Sequence, residues 1–160
     1  MIKPVFAAAL LAGSSLALAA CGGAEEQAQS SATSDAAGLE IANARMVLPA
    51  VAGNPAAIYF DLTNNGDRGV AVRKAEVDGA GKTEVHGTME WDGKMEMSET
   101  GPQAVQAGAT LKFEPGGLHV MVFDLSPDLV AGSETAMTLT VAGGKSTTFT
   151  VPIQAAGEDR

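Results

Sequence analysis

Residues 82–99 read KTEVHGTMEWDGKMEMSE, two alternating segments on either side of Asp92-Gly93. An Asp-Gly pair in this setting is a strong signal for a two-residue β-hairpin, because both central residues of the favoured turn need positive φ. Pairing Trp91 with Lys94 sets the register, so that Glu90 faces Met95, Thr88 faces Met97 and His86 faces Glu99. Side chains alternate between faces along a strand, which puts His86, Thr88, Glu90, Met95, Met97 and Glu99 on one side. His86 and Met97 become diagonal neighbours, roughly 7 to 8 Å apart and within reach of two long side chains.

The same texture extends through the chain from Leu39 to Ile153. Turn chemistry recurs at Asn64-Asn65-Gly66-Asp67, Asp78-Gly79, Pro115-Gly116-Gly117 and Gly143-Gly144. Between these turns lie AAIYFDLT, GVAVRKAEV, KTEVHGTMEW, KMEMSE, TLKFE, LHVMVFDL, TAMTLTV and STTFTVPI, each readable as a strand by alternation or β-branched content. Helical stripes and internal repeats are absent from the pattern. About seven to nine short strands at this spacing predict an all-β, antiparallel β-sandwich or barrel.

One of these strands carries a second histidine. In residues 116–125, GGLHVMVFDL, alternation sends Leu118, Val120 and Val122 to one face and His119, Met121 and Phe123 to the other. An imidazole in so apolar a strand needs a hydrogen-bond partner or a metal, because leaving it unpaired costs about 1 to 3 kcal/mol.

The beginning of the chain has a different character. Met1-Ile2-Lys3 followed by an apolar run from Val5 to Ala20 has the length and small-residue ending of a signal peptide, and is too short for a spanning helix. The run ends in Leu18-Ala19-Ala20-Cys21, which matches the bacterial lipobox, and Cys21 is the single cysteine. Lipidation consumes that thiol, so the mature chain keeps none for a disulfide, metal or nucleophile. Gly22 in place of Asp favours sorting to the outer membrane in a Gram-negative cell. The expected organisation is a signal peptide over 1–20, a lipidated Cys21 with a flexible tether to residue 38, one domain over 39–154 and a short polar tail over 155–160. These features predict a lipid-anchored protein on the periplasmic side of a bacterial membrane.

The formal charge is −9, and losing residues 1–20 removes only Lys3, making it −10. Such a charge disfavours nucleic acid as a partner, because phosphate binding needs a basic face.

His86 and His119 are the two histidines present. Joined by Met97 and Met121 they form two imidazoles and two thioethers, a donor set that suits soft Cu(I) and binds Zn(II), Mg(II) or Ca(II) poorly. All four donors are neutral, which disfavours Cu(II) in a partly dry pocket. Thioethers also survive an oxidising compartment, where paired cysteines close into disulfides. Met95 lies on the ligand face as an auxiliary ligand, whereas Met89 and Trp91 read as packing residues on the other side.

The spacing H-x10-M-x21-H-x-M resembles the signature of the periplasmic copper chaperones called PCuAC. Similarity runs from about Leu39 to Pro152, including NPAAIYFDLTNNGD and FEPGGLHVMVFDL. The resemblance implies a cupredoxin-like sandwich that binds Cu(I) through His86, Met97, His119 and Met121. It also implies delivery of the metal to a copper-accepting protein, a cytochrome c oxidase subunit or another assembly chaperone. Some members carry a His- and Met-rich tail for a second copper. Here the last residues are QAAGEDR, in which Glu158 and Asp159 make only a weak rival site, so one Cu(I) per chain is expected.

Other classes fit less well. A blue-copper carrier needs a thiolate ligand near the histidines. An enzyme needs an activated nucleophile or an acid/base pair, and with both histidines committed none is in view. The scattered acids read as a solvated face. Copper sequestration for tolerance uses the same ligands as delivery, and a structural sandwich without metal predicts no Cu(I) affinity.

Overall fold

The computed structural model describes residues 33–34 and 38–158. The expected signal peptide, Cys21, most of the tether and Asp159 lie outside the described residues. Eleven strands follow in chain order: β1 (Thr33–Ser34), β2 (Leu39–Val47), β3 (Ala56–Asn64), β4 (Val70–Val77), β5 (Ala80–Trp91), β6 (Lys94–Glu99), β7 (Gln103–Val105), β8 (Thr110–Phe113), β9 (His119–Leu125), β10 (Glu134–Val141) and β11 (Ser146–Gln154). No helix occurs among the described residues. The fold is all-β, as the turn-punctuated pattern predicts.

The strands pair in the order β6-β5-β9-β3-β2-β11-β10-β4-β7, with β8 along β3 and β1 along β2. This path folds over at β11 into two layers. Residues 146–152 of β11 pair with β10, whereas Ile153 and Gln154 pair with Met46 and Val47 of β2. The β11–β2 contact is parallel, the one departure from antiparallel pairing between the named strands.

Alternation on β3 is complete: Ala56, Ile58, Phe60, Leu62 and Asn64 are buried, and the residues between them are only partly so. The inward set meets Val120 and Val122 of β9, Met46 of β2, and Met137, Leu139, Phe149 and Val151 of β10 and β11. Phe60 stacks on Phe113 at 4.2 Å and meets Phe149 of the other layer at 5.7 Å. These apolar faces shed water only when the layers close on each other, which is the drive for the sandwich.

Three strands were not readable in the sequence. β1 falls in the expected tether and pairs Thr33 with Ile41, β7 has three residues, and β2 carries a bulge. In β2 the buried positions run Leu39, Ile41, then Ala44, Met46, because an extra residue around Asn43 (φ 56°) inverts the parity.

Candidate metal centre

The Asp92-Gly93 turn forms with positive φ at both residues, 52° and 72°, as a type I′ hairpin requires. The β5–β6 register is the one the turn predicts: Trp91 opposes Lys94, Glu90 opposes Met95, Thr88 opposes Met97 and His86 opposes Glu99. β9 runs along the other edge of β5, with His119 opposite His86 and Met121 opposite Glu84. Val85 and Val120 turn inward, so His86, His119, Met121, Met97 and Glu84 share the outer face of this layer.

The histidine rings are brought together, with centroids 6.0 Å apart and planes inclined by 46°. A single ion bonded to one nitrogen of each ring at about 2.0 Å sets centroids at roughly 5 to 6.5 Å, so the separation fits a shared ion. Met121 lies diagonal to His86 across β9, and Met97 diagonal to it across β6. Met97 is 54% exposed, so the site opens to solvent on the hairpin side. Met95 shares the face one step nearer the turn and is exposed as well.

His119 is buried and ordered by its approach loop. Glu114-Pro115-Gly116-Gly117 is a turn closed by the Gly117 amide donating to the Glu114 carbonyl at 3.0 Å. Proline at the second position and Gly116 at φ 79° are what a type II turn requires. The Gly117 carbonyl accepts a hydrogen bond from Nδ1 of His119 at 3.0 Å. In the neutral ring, Nε2 is therefore the nitrogen that keeps a lone pair. Tyr59 stands 6.3 Å from His119, with the Arg45 guanidinium over its outer side, and Phe123 stands 6.4 Å from His86.

His86 faces a different partner. Its Nε2 lies 2.8 Å from Oε2 of Glu84, and its buried Nδ1 has no hydrogen-bond partner. Oε1 of Glu84 pairs with the Lys82 ammonium. The Lys82 hydrogen bond, and after it that from His86, holds the Glu84 carboxyl below the usual carboxylate range, while Glu84 raises Lys82. Glu84 corrects the reading of the acids as a uniformly solvated face, since its side chain is only 13% exposed. The E-x-H spacing, which places Glu84 beside His86 on one face, was the available signal.

Two further expectations are corrected. Met89 and Trp91 are 59% and 75% exposed rather than packed, because β9 borders β5 only as far as His86. Beyond that point the hairpin is a two-stranded ribbon with no layer beneath it. Among the described residues, no group of three or more His, Cys, Asp or Glu side chains is placed to hold a metal. The soft donors on the same face are the thioethers of Met97 and Met121, beside the two imidazoles.

An all-β sandwich bearing an open histidine and methionine cluster on one outer face is the class of protein defined here. Residues 39–153 match the family described as "Putative lipoprotein LpqE-like", and the chain belongs to that family. The "Putative lipoprotein Lxx21020" of Leifsonia xyli subsp. xyli is 30% identical over 99 residues, which cover 61% of this chain and 60% of that one. The chain thus spans less than two thirds of that relative. The fold is the cupredoxin-like fold of PCuAC domains. It matches the "Copper-bound PCuAC domain from PmoF2" with TM-score 0.61 and 16% identity, over 79% of this chain and 97% of that one. It matches the "Solution structure of CuI-DR1885" from Deinococcus radiodurans with TM-score 0.56 and 22% identity, over 73% and 78% of the two chains.

Proposed function

We propose that the protein is a Cu(I) chaperone of the bacterial envelope, binding one ion through His86, Met97, His119 and Met121. The observation that carries this reading is the facing pair of imidazoles 6.0 Å apart, on a face that also bears both methionines, with Nδ1 of His86 making no hydrogen bond and Nδ1 of His119 bonded to the Gly117 carbonyl. The copper-bound and Cu(I)-bound states named for the two similar structures support it.

Binding and release follow from the donors. His119 is held by its turn and His86 by Glu84, so the imidazoles form the fixed side of the site. Met97, on the projecting ribbon, is the exposed donor. An incoming partner displaces Met97 first and the ion passes by ligand exchange, with no bond made or broken in the chain itself. Thioether binding keeps the ion monovalent and within reach of a partner's imidazoles or thiolates. The recipient in this reading is a copper-accepting protein of cytochrome c oxidase assembly, with the chaperone held at the membrane by a lipid on Cys21, outside the described residues.

A competition titration against a chromophoric Cu(I) chelator tests the reading. The chain carries Cys21→Ser, so that no thiol competes. One tight equivalent, lost in the His119→Ala, Met121→Ala double variant, is expected. Equal uptake by both proteins would contradict it.

A further inference from the structure

We propose that Glu84 is a positioning residue that sets His86 to bind through Nδ1, opposite the Nε2 of His119. The inference rests on the copper reading for its purpose, but the device is visible without metal. An ionised carboxylate has no proton to donate, so a 2.8 Å contact between Oε2 and Nε2 requires the hydrogen on Nε2. The other tautomer would bring two lone pairs together there and bury an unpaired N–H at Nδ1, a costly arrangement in a nearly water-free position.

Glu84 is itself held at both oxygens. Oε1 takes the Lys82 ammonium and Oε2 takes His86. Lys82 also lies 5.7 Å over the Phe123 ring, which in turn flanks His86. Residues 82, 84 and 86 reach one another because alternate residues of a strand share a face, so the relay is written in K-x-E-x-H. His119 is fixed the opposite way, with its Nδ1–H on the Gly117 carbonyl. The two rings therefore offer unlike nitrogens, and both choices are made before an ion arrives. Carboxylate partners of ligating histidines raise the basicity of the ring and fix its orientation, and losing one typically weakens metal binding about 10- to 100-fold.

The test is long-range ¹⁵N–¹H correlation NMR of the metal-free full chain carrying Cys21→Ser, at mildly alkaline pH, beside Glu84→Ala and Glu84→Gln. His86 is expected as the Nε2–H tautomer in the parent, as a mixture in Glu84→Ala, and largely restored in Glu84→Gln, whose amide oxygen still accepts. His119 is expected unchanged as the Nδ1–H tautomer in all three, which reports an intact fold. Cu(I) affinity should fall about 10- to 100-fold in Glu84→Ala. An Nδ1–H tautomer of His86 in the parent, or a tautomer indifferent to Glu84→Ala, would overturn the proposal. If the tautomers behave as stated and the parent takes up no Cu(I), the positioning stands and the copper reading falls.

Discussion

His119 is 5% exposed and answers with a single hydrogen bond to the Gly117 carbonyl, which leaves its second nitrogen uncommitted. A histidine serving packing alone gains nothing from a bare lone pair, and His86 repeats the pattern with its buried Nδ1. At this scale the sequence carried the candidates well, since strand parity alone put His86 with Met97 and His119 with Met121. It carried the surroundings less well. Glu84 was legible as a neighbour but not as a partner, because whether an acid pairs or faces water depends on the strand laid beside it. Methionine ligation makes a sharp prediction here. Met97→Leu and Met121→Leu nearly conserve volume, so the unfolding free energy from urea denaturation should change by less than about 1.5 kcal/mol. Cu(I) affinity in the same competition titration should fall about tenfold or more in each, the equivalent of about 1.4 kcal/mol. Unchanged affinity in both variants would remove the thioethers from the site.

At the level of the elements, the β5–β6 hairpin decides where Met97 can go. Gly93 at φ 72° has no Cβ to strain, and a β-branched residue there faces the left-handed penalty of about 1 to 2 kcal/mol. In Gly93→Val, amide exchange should quicken over residues 88–97 while the sandwich core keeps its protection, because the ribbon extends past β9. Loss of protection across β3 and β9 would show instead that the hairpin is part of the core. The Lys82–Glu84 pair sets a pH dependence. Glu84 has its carboxyl lowered from an ordinary 4.5, so its contribution to stability is present above that pH and is lost as pH falls through the lower folded value. In Lys82→Met the Glu84 carboxyl, followed by ¹³C NMR titration of the metal-free chain, should titrate closer to the ordinary value. An unmoved titration would mean that Lys82 does not hold Glu84. Hairpins of this kind are legible because the turn and the alternation agree. β2 was not, since the bulge at Asn43 breaks the alternation that marks a strand; the Asn43 side-chain amide there donates to the Asp61 carboxylate of β3 at 2.7 Å.

Across the described domain, the two layers close over Phe60, Phe113 and Phe149, and the histidine and methionine face lies on the outside of one of them. Phe60→Ala should cost about 3 to 5 kcal/mol in urea unfolding, the usual loss for a buried aromatic. A loss under about 1 kcal/mol would contradict the two-layer core. The sandwich class was legible from turn spacing. Its closure was not, because β11 leaves β10 to run parallel with β2, a pairing between residues about a hundred positions apart that no local pattern encodes. The core cluster does not include His86, Met97 or Met121, so on the copper reading proposed above an ion could come and go without unfolding the domain. The most direct measurement is X-ray absorption at the copper edge of the Cu(I)-loaded, Cys21→Ser chain, with the His86→Ala, His119→Ala double variant beside it. A monovalent edge with both imidazole and thioether scattering in the parent, and loss of the imidazole signal in the variant, is the predicted result. A spectrum of oxygen and nitrogen donors alone, or an imidazole signal that survives the double substitution, would contradict a copper site built on this face.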